Sequence, residues 1–506
     1  MTSLDPTGEL QAVVSDCVHC GFCLPACPTD QLWGEEMDSP RGRIHLIAQM
    51  LDGAQASEAA AVHVDRCLGC MACVPACPSG VRYDRLIEAA RSWTEEPPPG
   101  PQPLPARSAR DRLVRAAIFR TFPYPRRLRV LLAPLRLAQR TGLDAAVQRA
   151  LTGRLAPELA AALRLAPGRH GTAVARRRQN AELAAGRRGA RTAPGTRDAG
   201  AARDGHDAEL ATAGHDCVPA AGGRAAGPAT GGQGAAASPG RRLPGRVAAR
   251  GERRAVVGML TGCVQQVFFP EVNAATARVL AAEGCDVIIP PEQGCCGALS
   301  LHGGRSREAA SFARRAIEVF ERAGVDAIVV NSAGCGSAMK EYADLLAGDP
   351  QWAARAVALA GRVRDFSEFL ADLGPAAQRH PLPVTVAYHD ACHLAHAQRI
   401  SAQPRDLLRA IPGLRLTEIA DAGTCCGSAG IYNLVQPAPA LELGKRKADA
   451  VRQTGADLLV SANSGCTMQI SAALAERGEQ MRVAHIAEVL DASLRARPAG
   501  TLLTPS

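Results

Sequence analysis

The spacing of hydrophobic residues changes near residue 255, and from there short apolar runs alternate with longer mixed segments. The apolar runs predict buried strands, and the mixed segments predict helices. Strands are predicted at 255–260, 285–290 and 326–331, and again at 384–389, 414–419 and 457–463. Helices are predicted up to 283, at 306–323, near 405 and at 441–454. The order repeats, so we expect a duplicated α/β unit, with repeat 1 at 255–375 and repeat 2 at 376–495.

The first half of the chain has a different pattern. Apolar residues at 44, 47, 48 and 51 recur at helical spacing, which predicts helix rather than strand within residues 1–96. A Pro-rich connector and a helical segment follow at 97–165. Residues 166–254 are rich in Ala, Gly, Arg and Pro, and they have too little to bury to offset their ordering entropy. We therefore predict a multidomain α and α/β protein with a disordered basic insertion.

The net charge of +9 belongs to one segment. Residues 164–254 contain 17 Arg and no Lys and carry a formal charge of +10, so the rest of the chain sums to −1. A solvated tether is the favoured interpretation, with attachment to an anionic membrane surface as the alternative. Nucleic acid is not predicted as a partner, because the segment lacks interleaved aromatic residues. Cys217 in this segment is interpreted as a bystander.

The N-terminal sequence shows no secretory signal, and no apolar run is long enough to cross a membrane. We therefore expect a cytoplasmic protein, with peripheral contact to the membrane left open. In a reducing compartment the 18 cysteines are free for metal rather than for disulfides.

One cysteine motif occurs twice near the N-terminus, as CVHCGFCLPACP at Cys17–Pro28 and as CLGCMACVPACP at Cys67–Pro78. In this spacing three thiolates converge on one iron-sulfur cube, and the fourth ligates the other cube. The motif therefore predicts two [4Fe-4S] clusters with crossed ligands. Zinc knuckles and disulfides are the alternatives, but zinc sites use two separated pairs of ligands. The predicted ligands are Cys17, Cys20, Cys23 and Cys77 for cluster 1, and Cys67, Cys70, Cys73 and Cys27 for cluster 2.

The forty residues from Cys27 to Cys67 exceed what a compact ferredoxin hairpin uses. Together with the helical pattern, this predicts an α-helical ferredoxin domain over residues 1–96. Arg41 and Arg43 lie on the predicted helix between the motifs. We interpret them as a solvated helix face, with tuning of a cluster potential or docking of a partner as the alternative.

Cysteines recur in both α/β repeats at offsets of 129 to 131 residues. Each repeat has one cysteine after its first strand, a Cys-Cys-Gly before a helix, and one cysteine after its third strand, so they should gather where open α/β sheets bind ligands. Further iron-sulfur clusters are predicted there, and a buried structural cysteine cluster is the alternative. The cysteines are Cys263, Cys295, Cys296 and Cys335 in repeat 1, and Cys392, Cys425, Cys426 and Cys466 in repeat 2.

Polar residues flank these cysteines. His389, Asp390 and His393 surround Cys392, and we expect them to form hydrogen bonds around the ligands, with metal ligation or proton relay as the alternatives. Asn331 and Asn463, each near a strand end, are interpreted as turn formers.

The string CVHCGFCLPACPTDQLWGEEMDSPRGRIHLI, followed by CLGCMACVPACPSGVRY, resembles the iron-sulfur subunit of bacterial glycolate oxidase. The Cys-Cys-Gly repeats are similar to domains that this subunit shares with heterodisulfide reductase, the anaerobic glycerol-3-phosphate dehydrogenase and lactate-utilisation proteins. The resemblance implies that a separate FAD subunit oxidises glycolate to glyoxylate, and that this chain passes the electrons toward a membrane quinone. No flavin-binding fingerprint follows a strand in this sequence, so FAD is expected on the partner alone.

The chain departs from the wider superfamily in one respect. The Cys-Cys-Gly domain there often ends in C-x2-C, whereas the sequences here are CGSA from Cys335 and CTMQ from Cys466. Four cysteines per repeat suffice for an ordinary cluster but fall short of the five linked to disulfide reduction. Rival hypotheses remain: the same role for glycerol-3-phosphate or D-lactate, a catalytic disulfide reductase, or a redox sensor or scaffold.

Overall fold

The computed structural model describes residues 6–52, 58–96, 107–141, 157–165 and 243–503. Most of the predicted Pro-rich connector, and the predicted insertion up to residue 242 with Cys217, lie outside the described residues. The statements that follow concern the described ranges alone.

The N-terminal domain is built of helices, as predicted, and its described residues contain no strand. Ser39 caps the central helix by accepting a hydrogen bond from the Gly42 amide, and Pro40 occupies the first helical turn. Ile47 of one helix and Leu86 and Ile87 of another are fully buried in the apolar core of the domain. The helices are α1 (Pro6–Ser15), α2 (Pro28–Trp33), α3 (Pro40–Leu51), α4 (Glu58–Arg66), α5 (Cys73–Ala76) and α6 (Tyr83–Glu95), with a 3₁₀ turn at Glu36–Asp38.

A helical segment follows, as expected from the sequence. Its helices are α7 (Ala109–Thr121), α8 (Pro125–Leu131), α9 (Ala133–Thr141) and α10 (Pro157–Leu165). The first break precedes Pro125, which begins a new helix because proline tolerates the first turn but disrupts a helix interior. Arg107 forms an ion pair with Asp65 of α4, which fixes the start of this segment to the N-terminal domain.

Repeat 1 contains a five-stranded sheet in the order β1-β3-β2-β4-β5. Its strands are β1 (Arg246–Val247), β2 (Ala255–Leu260), β3 (Cys285–Ile288), β4 (Ala327–Val330) and β5 (Val363–Asp365), and only β1 pairs antiparallel. The helices are α11 (Gln265–Phe268), α12 (Pro270–Ala282), α13 (Ala298–His302), α14 (Ser306–Ala323), α15 (Ala333–Lys340), α16 (Tyr342–Leu345), α17 (Ala353–Ala360) and α18 (Phe366–Leu373).

Repeat 2 contains a four-stranded parallel sheet in the order β7-β6-β8-β9. Its strands are β6 (Thr385–His389), β7 (Arg415–Glu418), β8 (Leu458–Ser461) and β9 (Arg482–His485). A π-helix spans His393–Ala397, and the α-helices are α19 (Ala402–Arg409), α20 (Tyr432–Val435), α21 (Pro437–Gln453), α22 (Ser464–Glu476), α23 (Ile486–Leu494) and α24 (Gly500–Leu503). The predicted duplication of an α/β unit is confirmed.

The two repeats share a continuous apolar core in which α12 packs against α23. Arg278 of α12 donates two hydrogen bonds, of 2.8 and 2.7 Å, to the buried Asp491 carboxylate of α23. The repeats therefore present their cysteine-bearing loops from one packed body.

The predicted start of repeat 1, at residue 255, lies too far along the chain. Residues 243–254 were assigned to the insertion, but Arg246 and Val247 pair with Ile288 and Val287 of β3. The apolar pattern of this short edge strand is too brief to be recognised, and β5 and β9 were missed for the same reason.

Candidate metal centres

The first predicted cluster site is a cavity at one end of the N-terminal domain. An open pocket is lined by Cys17, Cys20, Cys23 and Cys77, with Cys73 also at its wall. The loop between these cysteines is tight, because Gly21 has a φ of 83°, which favours glycine. The pocket thus brings Cys77 of the second motif beside the three cysteines of the first motif, which fits crossed ligation. We call this cavity the outer site.

The second predicted site lies deeper in the same domain. A second pocket is lined by Cys67, Cys70 and Cys73 of the second motif together with Cys27 of the first. The Gly69 amide donates to the Cys67 sulfur over 3.3 Å, an arrangement that favours a thiolate. We call this cavity the inner site.

The two sites differ in exposure. Cys20 of the outer site is exposed, and its neighbours Val18 and Phe22 are 68% and 67% exposed. At the inner site Cys67, Cys70 and Cys73 are all buried. A redox partner can therefore approach the outer site directly, whereas the inner site is reached through protein.

Arg43 corrects the prediction of a solvated helix face. Its side chain is completely buried, and it donates to the His63 carbonyl over 2.7 Å and to the Thr29 hydroxyl over 3.0 Å. It also pairs with the buried Asp38 at 3.2 Å. The helical pattern could not reveal this, because the partners come from α2, the 3₁₀ turn and α4. Arg41 lies nearer the surface and pairs with Glu36 at 2.7 Å.

Arg43 acts on the inner site electrostatically. Burial alone would raise the pKa of the Cys67 thiol, but the positive charges of Arg43 and Arg91 lower that pKa below its usual value. The two arginines thus stabilise the thiolate form of Cys67 although this side chain is buried. Arg91 was not singled out from the sequence, since nothing in its neighbourhood on α6 signals this role.

Repeat 1 gathers its four predicted cysteines. Cys295 lies 3.4 Å from Cys263, sulfur to sulfur, and Cys335 interacts with Cys296. Hydrogen bonds from Cys295 and Cys335 hold the pKa of Cys296 well below its usual value. Gly297, at a φ of 85°, lets its amide donate to the Cys295 sulfur over 3.4 Å.

Repeat 2 repeats this arrangement with Cys392, Cys425, Cys426 and Cys466. Neighbouring thiols in this set interact in the same order as in repeat 1. The Gly427 amide donates to the Cys425 sulfur over 3.4 Å. The side-chain amide of Asn463, predicted to form a turn, donates to the Cys466 sulfur over 3.4 Å.

Within the described parts of the chain, Asn331 forms no hydrogen bond with a cysteine sulfur. This buried side chain donates to Asn273 and Thr276 at 2.9 and 2.8 Å and accepts a hydrogen bond from Gln265, so it joins the strand end to the helices behind it. The two asparagines that look equivalent in the sequence therefore have different partners.

His389 fits a metal ligand better than the predicted hydrogen-bonding neighbour. It is 1% exposed, and neither of its ring nitrogens has a hydrogen-bond partner within the described parts of the chain. Its ligand atom and the sulfurs of Cys426 and Cys466 all lie within 4.8 Å of one another. A buried imidazole without a partner is costly unless a group such as a metal satisfies it, so these residues fit a bound metal centre.

Asp390 and His393 have other partners. Asp390 accepts two hydrogen bonds from Arg405, of 2.8 and 2.7 Å, and so orients the loop that follows β6. His393 has its Nδ1 3.6 Å from the Cys392 sulfur, and its ring stacks on that of His302 with centroids 4.8 Å apart. His302, six residues after Cys296, was missed in the sequence because no motif includes it.

The inner site and the repeat 2 site meet directly. Cys70 shares one buried cluster with Cys392, Cys425 and Tyr432. Burial, and then the negative charge of Cys392, raises the pKa of Cys70 well above its usual value, which reflects how close these sulfurs lie. Cysteine spacing along the chain could not predict this contact, because it arises from packing between distant segments.

Comparison with known families agrees with this organisation. A family described as "4Fe-4S dicluster domain" matches residues 13–81, and one described as "Cysteine-rich domain" matches residues 257–340 and 386–471. The region between them, residues 110–166, matches "Glycolate oxidase iron-sulfur subunit, linker region". These domains define an iron-sulfur electron-transfer protein.

Full-length relatives specify the family. The chain is 33% identical to a "Probable glycolate oxidase iron-sulfur subunit" of Bacillus subtilis (strain 168), over 94% of this chain and 93% of that protein. It is 30% identical to the "Glycolate oxidase iron-sulfur subunit" of Escherichia coli (strain K12), over 92% of this chain and 91% of that protein. The chain therefore belongs to the glycolate oxidase iron-sulfur subunit family and is an iron-sulfur component of an oxidoreductase complex.

A shorter relative covers part of the chain. "Lactate utilization protein A" of Exiguobacterium sp. (strain ATCC BAA-1283 / AT1b) is 32% identical over 47% of this chain and 98% of its own length. The linker match and the full-length relatives favour the glycolate oxidase family over this alternative. In the described ranges, no helix combines the length and apolar character needed to cross a membrane.

Proposed function

We propose that this chain accepts single electrons from an FAD-containing partner that oxidises glycolate to glyoxylate, and passes them through its clusters to a quinone. The observation that carries the proposal is the contact between the inner site and the repeat 2 site, through Cys70, Cys392 and Cys425. It extends the path from the ferredoxin domain into the cysteine-rich domains.

The proposed ligands follow the cysteine sets. The outer site holds one [4Fe-4S] cluster on Cys17, Cys20, Cys23 and Cys77. The inner site holds the other on Cys67, Cys70, Cys73 and Cys27. Each repeat holds a further cluster on its four cysteines, and His389 is an added donor in repeat 2. When bound, such clusters supply one-electron redox steps, and the protein sets their potentials through charge, hydrogen bonds and burial.

Exposure suggests the direction of flow. Cys20, Val18 and Phe22 are open to a partner at the outer site, so we place the flavoprotein there. Electrons then move to the buried inner site and on to repeat 2. We place the complex in the cytoplasm, with quinone reached by peripheral contact with the membrane.

A test is to assemble the chain with its flavoprotein and add glycolate and a quinone analogue without oxygen. Glycolate should reduce the clusters, seen as loss of visible absorbance and new EPR signals, and the quinone should reoxidise them. D-lactate and glycerol-3-phosphate, the substrates of the rival hypotheses, are tested in place of glycolate under the same conditions. The proposal is wrong if one of these reduces the clusters while glycolate does not.

A further inference from the structure

Three metal-binding side chains that no cysteine motif includes meet between the ferredoxin domain and repeat 1. Glu88 lies on α6, His302 ends α13, and Glu341 lies between α15 and α16. The His302 Nε2 atom is 3.8 Å from the Glu88 Oε1 atom and 3.9 Å from the Glu341 Oε2 atom. All three atoms lie within 4.8 Å of one another.

The three facing atoms are buried and unsatisfied. Oε1 of Glu88, Nε2 of His302 and Oε2 of Glu341 have no hydrogen-bond partner anywhere in the described ranges. Their separations exceed hydrogen-bond length. Two ligands of one metal, each bound at about 2.1 Å, lie at most about 4.2 Å apart, so the His302 separations suit a shared ion.

A similar group elsewhere in the chain shows how the protein can neutralise a buried carboxylate with its own side chains. Asp38 and His63 also lie close together, but there Arg43 and Arg66 supply the positive charge at 3.2 and 2.8 Å from the carboxylate. That group is already neutralised by the protein. It therefore serves as an internal control.

In the Glu88 group, His302 lies 3.8 and 3.9 Å from the two carboxylates, but none of the described arginine or lysine side chains forms an ion pair with Glu88 or Glu341. Arg91 is near enough to act on it electrostatically, but its two terminal nitrogens donate to the carbonyls of His302 and Cys67. Burial, followed by the charge of Glu341, raises the pKa of Glu88 to about 8. The raised pKa means that the ionised form of Glu88 has too little compensating positive charge around it, which a bound cation would supply.

We propose that Glu88, His302 and Glu341 bind one divalent first-row transition-metal ion, separate from the iron-sulfur clusters. Two carboxylate oxygens and one imidazole nitrogen suit Zn²⁺, Mn²⁺ or Fe²⁺ and leave a position for water. The ion joins α6 to repeat 1 beside a close contact, since a Cβ atom on Gly304 would lie 2.4 Å from the Arg91 carbonyl oxygen. Its role is to fix the ferredoxin domain against the repeat.

The test uses the full chain with its clusters loaded, purified without oxygen and treated with a mild chelator. Mn²⁺ is titrated and followed by the EPR signal of the free ion, and Zn²⁺ is then added as a competitor. We expect one Mn²⁺ per chain, displaced by Zn²⁺, together with a rise in the thermal midpoint. Elemental analysis after dialysis should give one zinc per chain.

Glu341→Gln and His302→Ala should each abolish this binding while the iron and sulfide contents stay unchanged. The milder Glu341→Gln keeps the test valid if His302→Ala does not fold. Glu35 belongs to the group already neutralised by arginine, since it pairs with Arg66 at 3.4 Å and lies beside Asp38 and His63. Glu35→Gln is therefore the matched control and should bind Mn²⁺ like the parent chain. Absence of Mn²⁺ and Zn²⁺ binding, or unchanged binding in Glu341→Gln, overturns the proposal.

Discussion

The two cysteine-rich repeats place four sulfurs at equivalent positions but in different surroundings. In repeat 1, Cys263, Cys295 and Cys296 pack into the core of their own domain. In repeat 2, Cys392 and Cys425 pack against Cys70 of the inner site. The duplicated fold supplies the set of ligands, whereas docking of the ferredoxin domain decides which copy continues the electron path.

The repeats also differ in the residues next to the sulfurs. His389 stands three residues before Cys392, where repeat 1 has Leu260 three residues before Cys263. Buried Lys447 follows Ala440 by seven residues, and Ala316 follows the equivalent Ala309 by seven. At these two positions repeat 2 has a polar side chain where repeat 1 has an apolar one.

The largest expected effect separates the two copies by function. Cys425→Ser should reduce glycolate-dependent quinone reduction to background and lower the iron content by about four per chain. Cys295→Ser should lower iron by a similar amount but retain more quinone reduction, because repeat 1 is not the copy that meets the inner site. Equal losses of electron transfer in the two variants would contradict the distinction.

The second prediction replaces His389 of repeat 2 with leucine, the residue that repeat 1 has at the equivalent position 260. His389→Leu should change the EPR signal of the repeat 2 cluster and lower its iron occupancy, because a donor atom is lost. The signals of the ferredoxin domain should not change. Leu416→Ile, a change of a half-buried residue on β7, is the control for packing in the same sheet. An unaltered spectrum in His389→Leu would show that the imidazole is not a ligand.

Replacing the glycine of each Cys-Cys-Gly turn with alanine should destabilise repeat 2 more than repeat 1. A Cβ atom at Gly427 would lie 2.5 Å from the Ala440 carbonyl oxygen, whereas at Gly297 the corresponding distance to Ala309 is 3.2 Å. Both residues have left-handed backbone, so alanine strains either one. Gly427→Ala should lower the free energy of unfolding by about 2–5 kcal/mol, and Gly297→Ala by about 1–2 kcal/mol. Chemical denaturation measures both, and the reverse order would contradict the geometry.

The last expected difference between the repeats is opposite pH dependence at equivalent helix starts. Asp365 caps α18 in repeat 1, and His485 caps α23 in repeat 2, each in a capping box with a glutamate. Burial raises the pKa of Asp365 from 3.8 to about 6. Burial lowers the pKa of His485 from 6.5 to about 4.

The sign of each pH dependence follows from the form of the side chain that the folded state favours, protonated for Asp365 and neutral for His485. The stability from Asp365 is complete below pH 3.8 and is lost as pH rises through about 6, whereas that from His485 is complete above pH 6.5 and is lost as pH falls toward about 4. Relative to the parent chain, Asp365→Asn should gain stability with rising pH and His485→Asn with falling pH, each by up to about 3 kcal/mol. Denaturation curves between these limits give the slopes, and slopes of the same sign would refute the assignment.

Local patterns in the sequence sufficed for much of this organisation. The predicted helix at 306–323 has the observed bounds of α14, and the cysteine offsets identified both copies of the repeat. These features depend on residues close along the chain. Short strands such as β1 have too few residues to show a period.

The remaining features depend on contacts between distant segments. The sequence pattern predicts that Arg43 is exposed, but in the folded chain Asp38, Thr29 and the His63 carbonyl surround its side chain. The contact of Cys70 with repeat 2 likewise depends on how domains pack, which no local spacing encodes. His389 was recognised as a neighbour of the cysteines, but its missing hydrogen bonds become visible only in three dimensions.

The most direct test of the account is EPR spectroscopy of the fully reduced chain, prepared without oxygen, beside its Cys425→Ser variant. The account predicts magnetic interaction between the inner cluster and a cluster in repeat 2, seen as broadened or split signals that simplify in the variant. Spectra of the ferredoxin pair alone, identical in parent and variant, would contradict it.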